Sequence, residues 1–498
     1  MATDFSPKVI IIGGGIAGLA AADLLIRQGC TDVKILEATS RTGGRIWTID
    51  VQGQELERPV GLEDLAIEKV ELGANWIHGV ENNPIYRIAD EHDLLQLRQR
   101  CNLRNRILPL TEDGEIINQT IVKEIDWEYG KLMQKCEDFF NNGEPAPHEN
   151  ESVGEFLDSH MLPLFKRYKG TEKKHRELLY EQRKSLETCI SGCHDLQDLS
   201  LAEIGSYEEL PGIHYTIPPG FERVIDVLKE SIPSENVLLN HPVRTIFWEK
   251  EQVCAECMNG EKFYADHVIV SISLGCLKDN SQRLFAPSLP PNKILAIQRL
   301  EFGVVDKIIL EFKSPIIDSD LRMIQLLWDR SQVPDGDMKH TWYRKIYSFE
   351  VVHDNVLVGW LSGKEAMYME SLSEEEVGRA CVEALRKFLK RSDIPLPVKV
   401  TKTAWYHHPY SRGAYTYIPV GSSIDDIEAL QEPICTSSGK PLLLFAGEAT
   451  HTSFYSTTHG ALLSGQREAE RIINHYMVTN DSEEEEPHVS TESSVKFF

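Results

Sequence analysis

Residues 9–37 carry the sequence VIIIGGGIAGLAAADLLIRQGCTDVKILE, which decides the fold of this chain. The first four residues are apolar and predict a buried strand, and the glycine-rich turn that follows opens an alanine-rich helix. A second apolar stretch at 33–36 predicts another strand, which ends at the acidic residue Glu37. This order of strand, glycine turn, helix, strand and acid is typical of a βαβ unit that binds a dinucleotide.

The glycines of the turn have different expected roles. Gly13 permits the tight turn, Gly15 lets the backbone approach a pyrophosphate at the helix N-terminus, and Gly18 lets the helix pack close to the strand. Glu37 can accept hydrogen bonds from an adenosine ribose, and its charge would repel a 2′-phosphate. The alternative is a glycine turn that serves packing only, and the position of Glu37 argues against it.

A second glycine pair follows almost at once, in the sequence Arg41-Thr42-Gly43-Gly44-Arg45. A guanidinium group offers a planar fork of donors that suits phosphate oxygens, so Arg45 is a candidate ligand of the pyrophosphate. The alternative is a basic loop at the surface that binds no ligand.

The composition favours a soluble globular protein of two domains. The chain has 498 residues, of which 41% are hydrophobic and 8% aromatic, so it can bury a large shared core. Acidic residues outnumber basic ones by 77 to 52, which gives a net charge of -25. This charge disfavours nucleic acid and anionic membranes as partners and would attract a polycationic substrate, although many proteins are acidic for solubility alone.

The chain termini predict a cytoplasmic location. No apolar run approaches the roughly 20 residues of a membrane helix. The N-terminus lacks the pattern of a signal peptide, and the C-terminus is not a peroxisomal tripeptide. We therefore expect neither a membrane partner nor a secreted protein.

Two groups of cysteines have spacings that occur in functional sites. Cys254 and Cys257 have the spacing of a redox motif but lie in a predicted strand-turn-strand, and Cys189, Cys193 and His194 lack an evident fourth metal ligand. We therefore expect reduced thiols and no metal site.

Two segments are predicted to lie outside the regular helices and strands. Residues 52–68 form a loop or insertion, and residues 479–498, with an acidic run that starts near Asn480, form a disordered tail. The last helix is predicted to begin after Gly460 and to end at Tyr476.

Alternating strand and helix patterns predict an α/β fold, α+β overall, in which two domains are interleaved along the chain. Residues 1–95, 216–300 and 396–478 are assigned to the dinucleotide-binding domain. Residues 96–215 and 301–395 are assigned to a second domain, which combines helices with a sheet.

Four further motifs point to a known family. They are ELGANWIHG at 71–79, RGAYTY at 412–417, AGEATH at 446–451 and YSTTHGA at 455–461. Together with the arginine-flanked glycine pair, they resemble the flavin amine oxidases, and within them the polyamine oxidases that act on spermine, thermospermine or N1-acetylpolyamines. The resemblance covers nearly the whole chain. It implies a glutathione-reductase-like, FAD-binding Rossmann domain interleaved with a sheet-plus-helices substrate domain.

The resemblance implies positions for the cofactor. Glu448 matches an acid that bonds the ribitol of FAD, Thr457 lies where the backbone faces the flavin pyrimidine, and Val243 matches a residue that holds the adenine through its backbone. Ala414 stands where monoamine oxidases have a cysteine bonded to the flavin, so the FAD is expected to be non-covalent. The alternative for Glu448 is a carboxylate that caps a helix.

The same resemblance implies catalytic residues. Lys307 matches an active-site lysine that positions a water near flavin N5, and the alternative is a lysine that extends to solvent at a strand edge. Tyr415 and Tyr455 match two aromatic residues that face each other over the flavin and confine a slender amine. The alternative is a pair of ordinary core tyrosines.

Two polar residues are expected in the substrate channel. His78 and Glu187 match family positions, and Glu187 resembles a family carboxylate that contacts the far amines of the polyamine. A carboxylate attracts a cation more strongly in a partly dry channel than in water. The alternatives are a structural histidine and a solvated helix acid.

The activity that the resemblance implies is FAD-dependent oxidation of the secondary amines of polyamines. Hydride transfer to flavin N5 and hydrolysis would give an aldehyde and a shorter amine, and O2 would yield hydrogen peroxide. The preferred polyamine, the side of cleavage and the oligomeric state stay open, and a monomer is compatible with the sequence. The alternatives are a monoamine or L-amino-acid oxidase and a non-catalytic escort protein with a dinucleotide fold.

Overall fold

The structure is a computed structural model that describes residues 7–51, 68–95, 105–147, 151–249, 252–318, 320–332 and 336–483. These residues form a mixed α/β structure with several sheets. The helices are α1 (Ile16–Arg27), α2 (Pro84–Glu91), α3 (Gln119–Asn141), α4 (Val153–Phe165), α5 (Gly170–Ser191), α6 (Glu222–Lys229), α7 (Leu274–Leu284), α8 (Pro291–Arg299), α9 (Met338–Thr341), α10 (Gly363–Glu370), α11 (Glu374–Leu389), α12 (Ile424–Gln431) and α13 (Thr458–Glu483).

The strands are β1 (Val9–Ile12), β2 (Val33–Leu36), β3 (Thr48–Asp50), β4 (Lys69–Glu71), β5 (Arg106–Thr111), β6 (Val237–Leu238), β7 (Val243–Phe247), β8 (Val253–Cys257), β9 (Lys262–Ala265), β10 (His267–Val270), β11 (Phe285–Ala286), β12 (Glu301–Phe302), β13 (Val305–Glu311), β14 (Leu321–Leu327), β15 (Ser348–His353), β16 (Val356–Ser362), β17 (Lys399–Lys402), β18 (Thr416–Tyr417), β19 (Ile434–Cys435) and β20 (Pro441–Phe445).

A six-stranded sheet forms around the glycine turn. Its strand order is β19-β20-β10-β1-β2-β6, and every pairing is parallel except that of β19 with β20. Strands β1 and β10 are buried along their whole length, because a parallel sheet is covered on both faces and takes near-continuous apolar sequences. The sheet joins stretches that are distant in sequence, and the carboxyl ends of its parallel strands share one edge.

Helix α13 packs along α1 and fixes the C-terminal part of the chain on the glycine-turn helix. The approach is close at Gly465, where a Cβ would lie 2.0 Å from the carbonyl oxygen of Ala17. Leu19, Leu25 and Ile472 belong to the apolar core that the two helices share.

A second six-stranded sheet has the order β17-β13-β16-β15-β14-β5 and is antiparallel except between β14 and β5. Strand β13 lies between β16 and β17 and is buried throughout. Helices α10 and α11 share an apolar core with this sheet, while α3, α4 and α5 form another apolar cluster. Helix α5 also contacts β14 and β16, so it links the helical cluster to the sheet.

The predicted βαβ unit is confirmed, since β1 and β2 pair in parallel on either side of α1 in the chain. The predicted strand-turn-strand around Cys254 and Cys257 is also confirmed, as the hairpin of β8 and β9. The bounds of the two predicted domains stay a prediction. None of the described helices combines the length and the apolarity that a bilayer crossing requires.

The end of the chain differs from the prediction. Helix α13 begins at Thr458 and continues to Glu483, because neither glycine nor proline occurs between Tyr476 and Glu483. The disordered tail over residues 479–498 stays a prediction. Residues 484–498 of that tail lie outside the described residues, as do residues 52–67 of the predicted loop.

Candidate functional site

A cavity of about 1790 Å³ lies where the carboxyl ends of β1, β2, β10 and β20 meet the second sheet and helices α3 and α5. Open α/β sheets bind ligands at this edge, and the volume exceeds the roughly 300–1,000 Å³ of most small-molecule pockets. Gly18 is packed behind the turn. The other residues predicted from the sequence line the cavity: Gly13, Gly15, Glu37, Arg45, His78, Glu187, Val243, Lys307, Tyr415, Glu448, Tyr455 and Thr457.

The glycine turn presents backbone to the cavity. Gly13 has a φ of 108°, which glycine adopts readily, and a Cβ on Gly18 would lie 2.1 Å from the carbonyl oxygen of Gly13. A Cβ on Gly15 would meet nothing within 4 Å. Gly15 is also the N-cap of α1 and no side chain caps it, which leaves the first N–H groups of the helix for an anion.

Glu37 is buried at the end of β2 and holds the turn together. Its Oε2 accepts the N–H of Gly14 at 2.7 Å, and its Oε1 accepts the N–H and the hydroxyl of Thr39 at 2.8 and 2.7 Å. Oε2 keeps a second lone pair, so it can still accept a ribose hydroxyl. The N–H of His241 donates to the carbonyl oxygen of Glu37 at 2.8 Å, which places Val243 near the same part of the cavity.

Arg45 forms an ion pair with Glu448 that was not predicted. Nη1 of Arg45 lies 2.8 Å from Oε1 of Glu448 and donates at 2.7 Å to the carbonyl oxygen of Ala414. Oε2 of Glu448 accepts the N–H groups of Thr416 and Ser456 at 3.3 and 3.1 Å. Glu448 thus joins separate segments at the cavity and does not simply cap a helix.

The segment beside Glu448 contains a strained residue. Ser456 has a φ of 67°, a conformation that costs a non-glycine residue about 1–3 kcal/mol, and its hydroxyl donates to the carbonyl oxygen of Thr416. Helix α13 starts two residues later at Thr458, which borders the cavity together with Thr457. The positive end of the helix dipole there favours negative charge on a bound group.

Lys307 is 4% exposed in β13, so the alternative of a lysine at a strand edge is wrong. Its Nζ donates to the carbonyl oxygens of Glu71 and Gly73, both at 2.7 Å, and lies 4.4 Å from the centre of the Trp360 ring. Burial lowers the pKa of Lys307 to about 8, against the opposing effect of the carboxylates of Glu71 and Glu350. An ammonium group has three hydrogens, so one remains for a water or a ligand.

Asp306, the residue before this lysine, is fully buried and belongs to a carboxyl pair that was not predicted. Burial and the neighbouring Glu370 hold the pKa of Asp306 well above its usual range. Oδ2 of Asp306 has no hydrogen-bond partner among the described groups, and a proton held between it and Glu370 would satisfy both carboxyls. Asp306 accepts the N–H of Trp405 at 3.3 Å, and Glu370 accepts those of Tyr406 and His407 at 2.9 Å. The pair therefore fixes the loop that brings Trp405 to the cavity.

Tyr415 and Tyr455 line the cavity, and each is held by a contact outside the expected pair. Tyr455 packs edge-on against Tyr207 with ring centres 5.8 Å apart, and its hydroxyl lies 3.3 Å from Oγ of Ser206. The hydroxyl of Tyr415 donates to the carbonyl oxygen of Cys189. No local sequence signal marks Tyr207, which also lines the cavity. The mutual facing of Tyr415 and Tyr455 over a flavin stays a prediction.

His78 lies in a group of histidines. Its ring is edge-on to that of His214, with centres 5.1 Å apart. Burial lowers the pKa of His78 to about 4, and the charge of His214 adds to this effect, so His78 is neutral near pH 7. Burial also lowers the pKa of His459 to about 3. A neutral His78 on the cavity wall can either donate or accept a hydrogen bond.

Glu187 lies on α5, and we name it together with Glu137 of α3 the acidic wall of the cavity. Oε1 of Glu187 accepts the hydroxyl of Ser191 at 2.9 Å. Burial raises the pKa of Glu187, and the carboxylate of Glu137 raises it further. Glu187 is therefore not the solvated helix acid of the alternative interpretation.

The cysteines with suggestive spacings are free and buried. They are Cys189, Cys193, Cys254 and Cys257. Burial raises the pKa of the Cys189 thiol to about 12 and that of Cys257 to about 11, which disfavours thiolate chemistry. Within the part of the chain that the structure describes, no group of histidine, cysteine and acidic side chains is arranged to hold a metal ion.

Comparison with known proteins places these observations in a family. The family described as "Flavin containing amine oxidoreductase" matches residues 16–473. The chain is 34% identical over 503 residues to the peroxisomal N(1)-acetyl-spermine/spermidine oxidase of Bos taurus, with 94% of each chain covered. It is 35% identical to the Homo sapiens protein of that name, and the match covers 94% of this chain and 95% of that protein. It is 31% identical to the probable polyamine oxidase 5 of Arabidopsis thaliana, and the match covers 94% of this chain and 98% of that protein.

Proposed function

The chain belongs to the family of flavin-containing amine oxidoreductases, and from this premise we propose that it is an FAD-dependent polyamine oxidase. One observation carries the proposal: a continuous cavity joins the glycine turn, the buried Lys307 and the acidic wall. The turn suits the pyrophosphate of a dinucleotide. The acidic wall suits a substrate with several positive charges, and the net charge of -25 would attract such a substrate from solution.

The residues present fit an FAD that is bound without a covalent link. The open space at Gly15 and the uncapped N-terminus of α1 suit the pyrophosphate, and Glu37 suits a ribose hydroxyl. Glu448 suits a hydroxyl of the ribitol, since its carboxylate is already oriented by Arg45 and two backbone N–H groups. Ala414 borders the cavity without a side chain that could bond to the ring.

The chemistry that a bound flavin supplies is the acceptance of a hydride and the reduction of dioxygen to hydrogen peroxide. The hydride leaves the carbon beside a secondary amine nitrogen, whose lone pair forms the C=N bond. Water then adds to that carbon, and the C–N bond breaks to release an aldehyde and a shorter amine. In sum, an amine, dioxygen and water give an aldehyde, an amine and hydrogen peroxide.

The side chains of the cavity supply position and proton control. Lys307 fixes two carbonyl groups and keeps a hydrogen for a water at the wall, and its pKa of about 8 allows proton exchange near neutral pH. Tyr207, Tyr415 and Tyr455 line the cavity, and their aromatic rings suit a thin, flexible amine. Proximity of the reacting carbon to the flavin ring contributes more to the rate than acid–base catalysis does, since Lys307 is the main candidate for acid–base catalysis.

The test is to purify the protein, record its absorption spectrum and add spermine without oxygen. We expect a yellow protein whose flavin band bleaches, and hydrogen peroxide equal to the amine consumed when oxygen is admitted. Acid precipitation should release the FAD into the supernatant. Mass spectrometry of products from spermine, thermospermine, spermidine and N1-acetylspermine would then identify the substrate and the side of cleavage.

A colourless protein that takes up no FAD would contradict the proposal and favour a non-catalytic escort. Bleaching by a monoamine or an L-amino acid instead of a polyamine would assign a different amine oxidase. A cytoplasmic location and a monomeric state remain predictions, which cell fractionation and light scattering would test.

A further inference from the structure

The second sheet carries a row of polar side chains on the face that borders the cavity. Lys307 of β13 is paired with Trp360 of β16, so their side chains lie side by side. Glu350 of β15 is paired with Val358, two residues before Trp360, and therefore lies diagonally across from it on the same face. Lys307, Trp360 and Glu350 all line the cavity. The row thus crosses three neighbouring strands, in the order β13, β16 and β15.

The row continues to the surface of the protein at Arg322. This residue belongs to β14, the next strand of the sheet, where the pairing with β5 shifts register between Leu321 and Met323. Arg322 is exposed and also lines the cavity, and its charge acts on the carboxylate of Glu350. Solvent therefore reaches the outer end of the row, whereas Lys307 at the inner end is buried.

Two hydrogen-bond donors in this row are left over. Lys307 uses two of its three hydrogens on the carbonyl oxygens of Glu71 and Gly73. The indole N–H of Trp360 is buried and makes no direct hydrogen bond to a described residue, although it stabilises the carboxylate of Glu350 from nearby. A buried donor without a direct partner is costly, and polar groups held slightly too far apart are commonly bridged by water. The row therefore has the donors for a water between Lys307 and Glu350.

The carboxyl group of Glu350 can exchange a proton in this row. Burial raises its pKa, while the charges of Lys307 and Arg322 oppose the rise. A carboxyl group with a raised pKa takes up and releases a proton closer to neutral pH than an ordinary glutamate does. The other titratable groups that act on Glu350 or on Lys307 are Tyr347, the residue before β15, and Glu71 of β4. Burial holds the pKa of Tyr347 well above its ordinary value, so its hydroxyl stays protonated.

We propose that Glu350 is a proton-relay residue, which takes the proton of the substrate ammonium through a water held by Lys307 and Trp360 and releases it to solvent beside Arg322. This inference rests on the proposed polyamine oxidation. Alkylamines titrate at about pH 10, as the lysine side chain does, so the substrate arrives protonated near pH 7 and must lose this proton before a hydride can leave. In the relay an N–H bond of the ammonium breaks and an O–H bond of Glu350 forms. That O–H bond then breaks as the proton passes to bulk water, and no electrons are transferred.

The first test compares Glu350→Gln with the wild-type protein, both as full-length chains loaded with FAD. The amide keeps the size of the side chain but carries no proton. We expect flavin reduction by spermine, followed anaerobically by stopped-flow absorbance, to slow about tenfold at pH 7 and less than about twofold at pH 9.5. The loss is smaller at high pH because more of the substrate is already neutral there. Glu350→Asp keeps a carboxyl group and should recover part of the rate at pH 7.

Glu311→Gln is the matched control for this test. It replaces another buried glutamate, on the strand of Lys307, that does not line the cavity. Oε1 of Glu311 lies 3.1 Å from Nζ of Lys399, so this carboxylate is engaged outside the row. The flavin of Glu311→Gln should be reduced at the wild-type rate at both pH values.

Three results would overturn the relay: no slowing in Glu350→Gln, a slowing that is equal at low and high pH, or the same slowing in Glu311→Gln. The second of these would show that Glu350 acts on the shape of the cavity and not on a proton. Failure of the wild-type flavin to bleach with any polyamine would instead refute the proposed function.

The second test needs no turnover. A protonated carboxyl group has an infrared C=O band that is separate from the bands of a carboxylate, so spectra of the resting holoenzyme can follow the proton on Glu350. The wild-type protein should show a band at pH 5 that disappears by about pH 9, and Glu350→Gln should lack this titration. If the two proteins titrate alike over that range, Glu350 exchanges no proton and the relay is refuted.

Trp360→Phe tests the water between the two ends of the relay. It keeps an aromatic ring but removes the N–H that favours the ionised form of Glu350, so the infrared band should persist to a higher pH than in the wild-type protein. Flavin reduction at pH 7 should slow about threefold, because the bridging water loses one partner. A wild-type titration together with a wild-type rate would mean that this N–H holds no water for Glu350, which contradicts the proposal.

Discussion

The two ends of the cavity are built in different ways. At the end formed by β1 and α1, glycines expose backbone N–H groups, and what matters is the absence of side chains at Gly13, Gly15 and Gly18. At the end formed by α3 and α5, the carboxylates of Glu137 and Glu187 and the side chain of Tyr129 line the cavity. A phosphate site can thus be encoded in one short segment, whereas a site for a chain of cations requires helices that packing brings together.

The largest effect is expected when one methyl group is added at the end of the cavity formed by β1 and α1. In Gly18→Ala the new Cβ would lie 2.1 Å from the carbonyl oxygen of Gly13, so the turn must move, at a cost of about 3 kcal/mol or more of unfolding free energy. In Gly15→Ala the Cβ enters open space, and the cost should stay below about 1 kcal/mol. Thermal unfolding and flavin content measure the two consequences separately.

We expect Gly18→Ala to lose both stability and flavin, and Gly15→Ala to keep its stability but bind flavin weakly. A Gly15→Ala protein with a full complement of flavin would show that the pyrophosphate does not approach this residue. The contrast between the two ends of the cavity would then lose its basis.

A smaller effect is expected between the two ends, at Lys307. Lys307→Met removes the donor to the carbonyl oxygens of Glu71 and Gly73 and the group that exchanges a proton near pH 8. Flavin reduction by spermine or reoxidation by oxygen should slow about 100-fold, while FAD still binds. Stopped-flow absorbance measures both steps, and any inflection of the wild-type rate near pH 8 that belongs to Lys307 should disappear.

Lys313→Met is the control for this experiment, because Lys313 is an exposed lysine just after the same strand. Unchanged flavin kinetics in Lys307→Met would remove the catalytic role of Lys307. The lysine would then only hold the backbone at the carbonyl oxygens of Glu71 and Gly73.

The smallest effect is expected at the buried pair of Asp306 and Glu370. The pKa of Asp306 is raised in the folded chain, so above about pH 4 the folded state holds a proton that the unfolded state has lost. The stability from this proton is therefore present at low pH and decreases as the pH rises. Asp306→Asn cannot titrate, but its amide can still donate to Glu370 and its oxygen can accept the N–H of Trp405.

The Asp306→Asn protein should thus gain unfolding free energy relative to wild type as the pH rises from 5 towards 8, by no more than about 1.4 kcal/mol for each pH unit over which the wild-type pair keeps its proton. Chemical denaturation at a series of pH values measures this difference. A constant difference would mean that the wild-type pair holds no proton in that range. The loop from Trp405 to His407 would then be held by two charged carboxylates.

Much of the cavity end formed by β1 and α1 could be predicted from the sequence. The reason is that β1, the turn, α1 and β2 are contiguous in the chain, and the spacing of their residues indicates a dinucleotide-binding unit. Lys307 was also detectable, as a charge inside an apolar run. The contacts of Tyr455 with Tyr207 and of Asp306 with Glu370 were not, since each joins residues far apart in the chain. The cavity-lining residues of α3 follow a four-residue spacing that ordinary core positions share, so only packing shows that they face a cavity; they are Tyr129, Met133, Glu137 and Asn141.

The strand order of the parallel sheet has a consequence for biosynthesis. Strand β10 lies between β1, from the start of the chain, and β20, from its end, and α13 packs on α1. A ribosome therefore releases the glycine turn well before the strand and helix that complete its surroundings. The nascent polypeptide cannot close the edge of the sheet at the glycine turn until β20 and α13 have been synthesised, so capture of a flavin must follow their synthesis.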